Sequence, residues 1–371
     1  MIVRFGDVVV RANTKEDKNN TEKEFYLDGQ FFEGEELEVL KGSPLKGATI
    51  GPMFYFGFKA GQVLFMSRSF AIKKAAVARF DGICSEKTFV LETKDNNVLL
   101  QEYLVFILQN QAFWDYCEEN KSGSVNFFIN WSTLEKYEFD LPSVEEQRRL
   151  SDLLWAAYEV KKSYRKMISS IDEMVKSQFI ARFGTTDCSP FHVKSLREIS
   201  LSSGEYGANT PATKYNSEVG RYIRITDIDE FGNLNNDIVS PEVAEDKYLL
   251  QKGDLLFART GATVGKTYLH KEGKALYAGY LIKYRFTDAV LPDFVFAYTH
   301  SQEYYKWVEL TQKVGAQPNI SAKQYDGLKI IVPPIEEQKS FVALMHQADK
   351  SKFELKKAIE KIDKVMRALM Q

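Results

Sequence analysis

The residues whose types and spacing come closest to a reactive arrangement are Thr260-Gly-Ala-Thr-Val-Gly265-Lys266-Thr267, which end like a phosphate-binding loop. Such a loop needs a glycine at its first position and a helix directly behind it, whose free N–H groups face the phosphate. Thr260 stands where that glycine should be, and Tyr268-Leu-His-Lys-Glu-Gly273 reads as strand and turn. Nucleotide binding is therefore not expected. The sequence holds no adenosylmethionine-type glycine loop, Asn-Pro-Pro-Tyr pocket or nucleophile elbow. His192, His270, His300 and His346 lack a ligand partner three or four residues away, and Cys84, Cys117 and Cys188 have no paired spacing. That argues against a metal site or a disulfide framework, and for reduced, mostly buried thiols. The chain reads as non-catalytic.

What the same segments do offer is positive charge without neutralising acids. Lys59, Arg68, Lys73, Lys74 and Arg79 lie between Lys59 and Phe80 with no Asp or Glu among them; Arg259, Lys266 and Lys271 lie likewise between Arg259 and Lys271. Arg and Lys neutralise phosphates, and an Arg fork matches the O6/N7 edge of guanine. The segments Ser124-Val-Asn-Phe-Phe-Ile-Asn130 and Gly315-Ala-Gln-Pro-Asn319-Ile-Ser321 add amides suited to adenine edges, or equally to turns and helix caps. With 49 Lys+Arg against 51 Asp+Glu the whole chain is near neutral, so a nucleic-acid surface must be a local patch. No stretch has the length and apolarity of a membrane span, and the first residues lack a signal-peptide layout, so a cytoplasmic protein is expected.

Positioning these segments falls to a duplicated framework. Leu141-Pro-Ser-Val-Glu-Glu-Gln147 recurs as Val332-Pro-Pro-Ile-Glu-Glu-Gln338, 191 residues on, and Ala60-Gly61-Gln62-Val63-Leu64-Phe65 answers Lys252-Gly253-Asp254-Leu255-Leu256-Phe257 at 192. That period is too long for a solenoid, so each copy is a domain followed by a helix. The divisions are residues 1–140, a helix at 141–184, residues 190–331, and a helix at 332–371.

Within the 371 residues, short strands bounded by glycines (Val63-Leu64-Phe65, Val77–Phe80, Leu255-Leu256-Phe257, Tyr280–Tyr284) indicate mixed α+β (α/β) units. One helix is predicted over Leu99–Tyr116 and one over Pro292–Trp307, their aromatic residues belonging to the core. In the first long helix Leu150, Leu153, Ala157, Val160, Tyr164, Met167, Ile171 and Met174 step by three and four, a coiled-coil period. The second repeats it with Phe341, Leu344, Ala348, Ser351, Leu355, Ala358, Ile362 and Val365. Two matching stripes predict mutual pairing, and a pseudo-two-fold relation between the copies makes the pair antiparallel, with a globular unit at either end of a rod.

This arrangement resembles the specificity subunit of type I restriction-modification systems over nearly the whole chain. The carrying pieces are Tyr222-Ile-Arg-Ile-Thr-Asp-Ile228, Gly253-Asp-Leu-Leu-Phe-Ala-Arg-Thr-Gly261, Val264-Gly-Lys266, Tyr277-Ala-Gly279, Asn319-Ile-Ser321 and the two Glu-Glu-Gln segments. The first copy has Gly61-Gln62 for Gly-Asp and Met66-Ser67-Arg68-Ser69 for Ala-Arg-Thr-Gly. The resemblance implies two target-recognition domains, each reading half of an interrupted DNA sequence, on spacer helices that dock two methyltransferase subunits. Catalysis would belong to partners: modification subunits using S-adenosylmethionine, and restriction subunits using ATP and Mg²⁺. Candidate DNA-binding residues are Arg68, Lys73, Lys74, Arg79 and Asn130 in the first domain. Arg259, Thr260, Thr263, Lys266, Gln317 and Asn319 are those of the second. Candidate helix-pairing residues are Leu150, Leu153, Val160, Met167, Ile171, Phe341, Leu344, Leu355, Ile362 and Val365. The alternatives are a related system with one fused restriction-modification partner, a coiled-coil scaffold that binds no DNA, and, as the enzyme alternative, a stand-alone nuclease or methyltransferase.

Overall fold

A computed structural model describes residues 1–27, 29–68, 72–312 and 318–370. Two units emerge, Met1–Lys166 with Leu355–Gln371 and Met167–Glu354, each described by itself below.

Unit 1 is built on a five-stranded sheet in the order Val9–Ala12, Thr88–Thr93, Val63–Met66, Ala75–Ala78, Glu38–Val39. The strands Val63–Met66 and Ala75–Ala78 are apolar throughout because both of their faces are covered, while Arg11, Glu38 and Glu92 lie in the other three. Val63, Phe65, Ala75, Val77, Phe89 and Leu91 face one core, which the helices Gln101–Gln109 and Gln111–Glu119 complete. Leu64, Ala76, Ala78 and Val90 face another, closed by a second sheet that holds Phe56, Phe58 and Cys84. The same alternation builds unit 2. There Leu255 and Phe257 join the helix-side core, while Leu256 and Ala258 join a separate cluster with Ile223, Tyr277 and Leu281.

Each helix predicted as continuous is in fact two. Asn110, with extended backbone (φ −67°, ψ 140°), splits the first, and its side chain accepts from Ala112 N. Ser301 does the same in the second, accepting from Tyr304 N between Pro292–Tyr298 and Gln302–Thr311. Asn and Ser side chains bond free N–H groups at a helix start better than they suit its interior, so both are caps. Phe106, Phe113, Trp114 and Tyr304 are core residues as expected, whereas Tyr305 is exposed with its hydroxyl donating to Glu230 O.

Long helices run over Val144–Phe183 and Ile335–Met370. The first starts with Ser143 Oγ accepting from Glu146 N and stops at Gly184, whose φ of +74° suits a residue without a Cβ. A buried glutamine joins each helix to its own domain. Gln147 Oε1 accepts from Leu100 N at 2.9 Å, while its Nε2 donates to Val98 O and Pro142 O. Gln338 repeats this with Leu291 N at 2.8 Å, Ala289 O and Pro333 O. Every partner is displaced by the 191-residue offset, so the repeat extends to single hydrogen bonds.

The helices run antiparallel within each unit. In unit 1 Lys161 Nζ meets Asp363 Oδ1 at 2.6 Å; in unit 2 Lys352 Nζ meets Asp172 Oδ1 at 2.8 Å. Their seam differs from the expected stripe. Leu150 and Phe341 are buried, and Ile171, Leu344, Leu355 and Ile362 are half-buried, but Leu153, Val160, Met167 and Val365 are exposed. In unit 1 the inward face of the first helix is Gln147, Ser151, Leu154, Tyr158 and Lys161; in unit 2 it is Val175, Phe179 and Phe183. A strict 3.5-residue stripe drifts off one face of a straight helix by about 20° per heptad. The true face also carries Gln147, Ser151 and Lys161, which an apolar stripe passes over.

Candidate nucleic-acid interface

In unit 2 the strand Leu255–Ala258 ends by delivering Arg259 to the sheet's rim. Arg259 N donates to Tyr280 O at 3.0 Å and Arg259 O accepts from Ile320 N at 2.9 Å, so its backbone is tied on both sides. One residue on, Thr260 and Asn319 form an antiparallel bridge, and Gly261 N donates to Pro318 O at 3.0 Å. Gly261, with φ +71°, begins a single 3₁₀ turn to Thr263, after which Thr267–Leu269 is a strand paired with Leu255–Phe257. No helix follows the loop, which removes the phosphate-cradle reading.

The Arg259 guanidinium carbon lies 4.7 Å from the centroid of the Tyr206 ring. It makes no ion pair among the described residues, and its Nε is buried without a hydrogen-bond partner. Beside it opens a cleft of about 650 Å³ lined by Asn209, Thr210, Arg224, Thr226 and Tyr280 as well as Tyr206 and Arg259. Tyr280 is 61% exposed and Tyr206 43%. Arg224 is already engaged: its fork pairs with Asp227 and Asp237, each at 2.7 Å, and the hydrogen bond to Asp227 above all raises its pKa.

Unit 1 repeats the frame with other side chains. Ile129 N donates to Ser67 O at 2.9 Å, as Ile320 N does to Arg259 O, and Arg68 bridges Phe128 as Thr260 bridges Asn319. The position of Arg259 is held here by Ser67, buried and donating to Lys87 O at 2.8 Å. Arg68 is exposed, without an ion pair among the described residues. Ser122 and Phe128 close a five-residue loop from which Val125 and Phe127 project, with Lys121 Nζ 4.3 Å from the Phe127 ring centroid. The tip is apolar, and the Lys121 ammonium beside it is paired with Glu118.

Two stretches, residues 3–162 and 189–364, match the family model described as type I restriction modification DNA specificity domain. The chain belongs to that family. Among solved structures, its fold is similar to a chain of a type I restriction-modification system described for complex assembly and conformational transition (TM-score 0.61, 18% identity, covering 100% of this chain and 96% of that one). It is also similar to the type I restriction-modification S subunit from M. genitalium (TM-score 0.55, 14% identity, covering 100% and 94%). No curated protein sequence matches it. The chain is a DNA sequence-specificity subunit of the type I restriction-modification class, a non-catalytic role, with one specificity domain in each copy of its repeat.

Within the specificity domains the residues expected to meet DNA divide into two groups. Arg68, Asn130, Arg259 and Lys266 make no side-chain hydrogen bond or ion pair among the described residues and sit on or beside the paired loops. Asn130 is exposed just before the Trp131–Leu134 turn, and Asn319 is half-buried on the rim. Others are committed to the fold. Lys73 Nζ is 2.8 Å from Gln111 Oε1 and 3.4 Å from Glu35, and Lys74 Nζ donates to Gly29 O. Arg79 pairs with Glu38 at 2.6 Å, whose other oxygen is held by Lys162 of the long helix at 2.7 Å. Arg79 also lies over the Trp155 ring, so it acts as a brace between domain and helix. Thr260 is buried with its hydroxyl on Pro318 O, and Thr263 Oγ1 donates to Thr260 O, so both shape the loop. Gln317 lies outside the described residues.

Sequence reading passed over Tyr206 and Tyr280, the aromatic walls of the cleft. Arg224 and Thr226 stood within Tyr222-Ile-Arg-Ile-Thr-Asp-Ile228 without being singled out. Among the described residues no metal-ligand cluster occurs and no helix is long and apolar enough to cross a membrane.

Proposed function

We propose that each specificity domain reads one half of an interrupted DNA sequence and that the long helices set the gap and dock two methyltransferase subunits. Supporting this is one observation above the rest: two loop frames with identical backbone pairing, Ser67–Ile129 and Arg259–Ile320, present different side chains. One frame used twice with altered readers suits two half-sites of different sequence, about one helical turn or slightly more apart. Arg259, Lys266 and Asn319 would meet one half and Arg68 and Asn130 the other.

The chemistry would reside in cytoplasmic partners. Modification subunits would bind S-adenosylmethionine and methylate adenine; restriction subunits would use ATP and Mg²⁺. With a net charge of −2, this subunit alone would bind duplex DNA modestly, and partners would add phosphate contacts. The exposed Leu153, Val160, Met167 and Val365, absent from the helix seam, suit burial by such partners.

The test is single-molecule sequencing of adenine methylation in the source organism with the gene intact and deleted. Loss of one interrupted bipartite motif on deletion is the expected result and yields both half-sites. An unchanged methylome, together with no duplex binding by the complex purified with the neighbouring gene products, would leave a scaffold as the better reading.

A further inference from the structure

Arg259, half-buried on the rim of the sheet, is held in an unusual way. Its guanidinium has no carboxylate partner among the described residues, and its Nε is buried without an acceptor. A shielded donor left unpaired costs stability, so something else must favour this placement. The Tyr206 ring face, 4.7 Å from the guanidinium carbon, is the feature that does.

Tyr206 is itself fixed at both ends. Its backbone pairs with Ile282 in the short strand Glu205–Tyr206, and its hydroxyl accepts from Ala322 N at 3.0 Å. Ala322 opens the helix Ala322–Asp326, which Ser321 caps by accepting from Gln324 N. The ring is thus clamped between the sheet and the helix after Asn319-Ile-Ser321, while the Arg259 backbone is clamped by Tyr280 and Ile320. A fork whose stem and plane are both set before binding loses less freedom on meeting a base edge, and that saving favours the one base it fits.

We propose that Tyr206 is a positioning residue for DNA readout: its ring carries the Arg259 guanidinium in a fixed plane, so that the fork addresses a guanine in the half-site of the second domain. This rests on the reading of the chain as a DNA specificity subunit. Unit 1 carries Ser67 at the Arg259 position, so a stacked arginine belongs to the second half-site alone.

The test uses the full chain co-purified with its methyltransferase subunit and a pool of duplexes randomised across both half-sites, selected by binding and sequenced. Wild type should demand guanine at one position of one half-site. Arg259→Ala should lower that preference about tenfold or more, the scale of one bidentate contact. Tyr206→Leu should relax the same position, and the double variant should be no worse than Arg259→Ala alone. Tyr206→Phe, which keeps the ring face but loses the bond from Ala322 N, should hold most of the preference and fall between wild type and Tyr206→Leu. Guanine preference intact in Tyr206→Leu, or lost equally in Tyr206→Phe, would overturn the inference while leaving the wider function standing. No sequence preference in the wild-type complex would instead overturn the function on which it rests.

Discussion

Lys161 and Asp363 meet at 2.6 Å in unit 1, and the residues that stand 191 positions away from each, Lys352 and Asp172, meet at 2.8 Å in unit 2. In an antiparallel pair of repeat-related helices, a contact between two non-equivalent positions must occur twice, once in each direction. The ion pair thus pins the register of both helices. A slip by one turn would separate both pairs and strand a mostly buried Lys161 ammonium.

Removing one partner should therefore cost more than the pair itself contributes. Lys161→Ala or Asp363→Asn is expected to destabilise unit 1 by about 1–3 kcal/mol, below the range for fully buried pairs because Asp363 is partly solvated. The exchange of both residues, Lys161→Asp with Asp363→Lys, should recover part of the loss. Urea unfolding of the wild type and these three variants measures this; an exchanged double variant that loses as much as the two single losses added together would show that the pair is incidental.

The glutamine clamps should matter as much. Gln147→Leu leaves Leu100 N and two carbonyls without their buried partner, and each unsatisfied group costs about 1–3 kcal/mol. A loss of at least about 2 kcal/mol is expected for Gln147→Leu and for Gln338→Leu alike. Thermal unfolding of the two variants reads it directly, and a neutral result for either would remove the clamp as a support of its domain.

Arg79 and Arg68 looked alike in sequence, two cations in one acid-free segment, and should separate by experiment. Arg79→Ala breaks the Glu38 brace and its contact over Trp155, so it should lower stability and spare sequence preference. Arg68→Ala should leave stability unchanged, weaken binding to all duplexes alike and reduce the salt slope by about 1 if Arg68 meets a phosphate. Melting curves and titrations at several salt concentrations distinguish the two.

That contrast marks how far the sequence could be read. The duplication was legible to single residues because Glu-Glu-Gln recurs at fixed spacing, and the Gln147 and Gln338 hydrogen bonds obey the same offset. The central strands around Val63-Leu64-Phe65 and Leu255-Leu256-Phe257 were visible as short apolar runs, but that both of their faces are covered was not. The helix seam was not, because Lys161 and Asp172 occupy it and polarity disguises an inward position. Nor was the fate of each cation: Arg79 has Glu38 opposite it from 41 residues away, a pairing that composition within a segment cannot reveal. Tyr206 lay outside every motif, and its role depends on a ring face meeting Arg259 in space.

The cysteines give a direct check of burial. Cys84 and Cys117 are buried, which pushes both thiols up to about 12, whereas Cys188 is exposed. A disulfide reagent at neutral pH should modify one thiol per native chain quickly and the other two only on unfolding. Mass spectrometry locates the modified residue, and rapid reaction at Cys84 would contradict the packed second face of the unit 1 sheet.

Acid should act on the two units unequally. All four histidines lie in unit 2, and burial depresses the pKa of His270 and His300 below the usual 6.5. His270 Nε2 lies 3.1 Å from Gly273 O, and His300 Nδ1 lies 2.9 Å from Phe296 O. A group with a lowered folded-state pKa binds fewer protons when folded than unfolded. Its contribution is therefore complete above about pH 6.5 and declines as pH falls through that value toward the folded pKa. Unit 1 has no histidine, and burial disfavours charge on Glu38 but the hydrogen bonds from Lys162 and Arg79 outweigh it, holding its carboxyl below the ordinary range. Its acid loss should therefore begin only near pH 4. Hydrogen exchange resolved by peptide at pH 7.5 and 5.5 should show protection falling in the core of unit 2 while that of unit 1 holds. His300→Phe should flatten the difference, and a uniform fall in both units would place the acid-sensitive groups elsewhere.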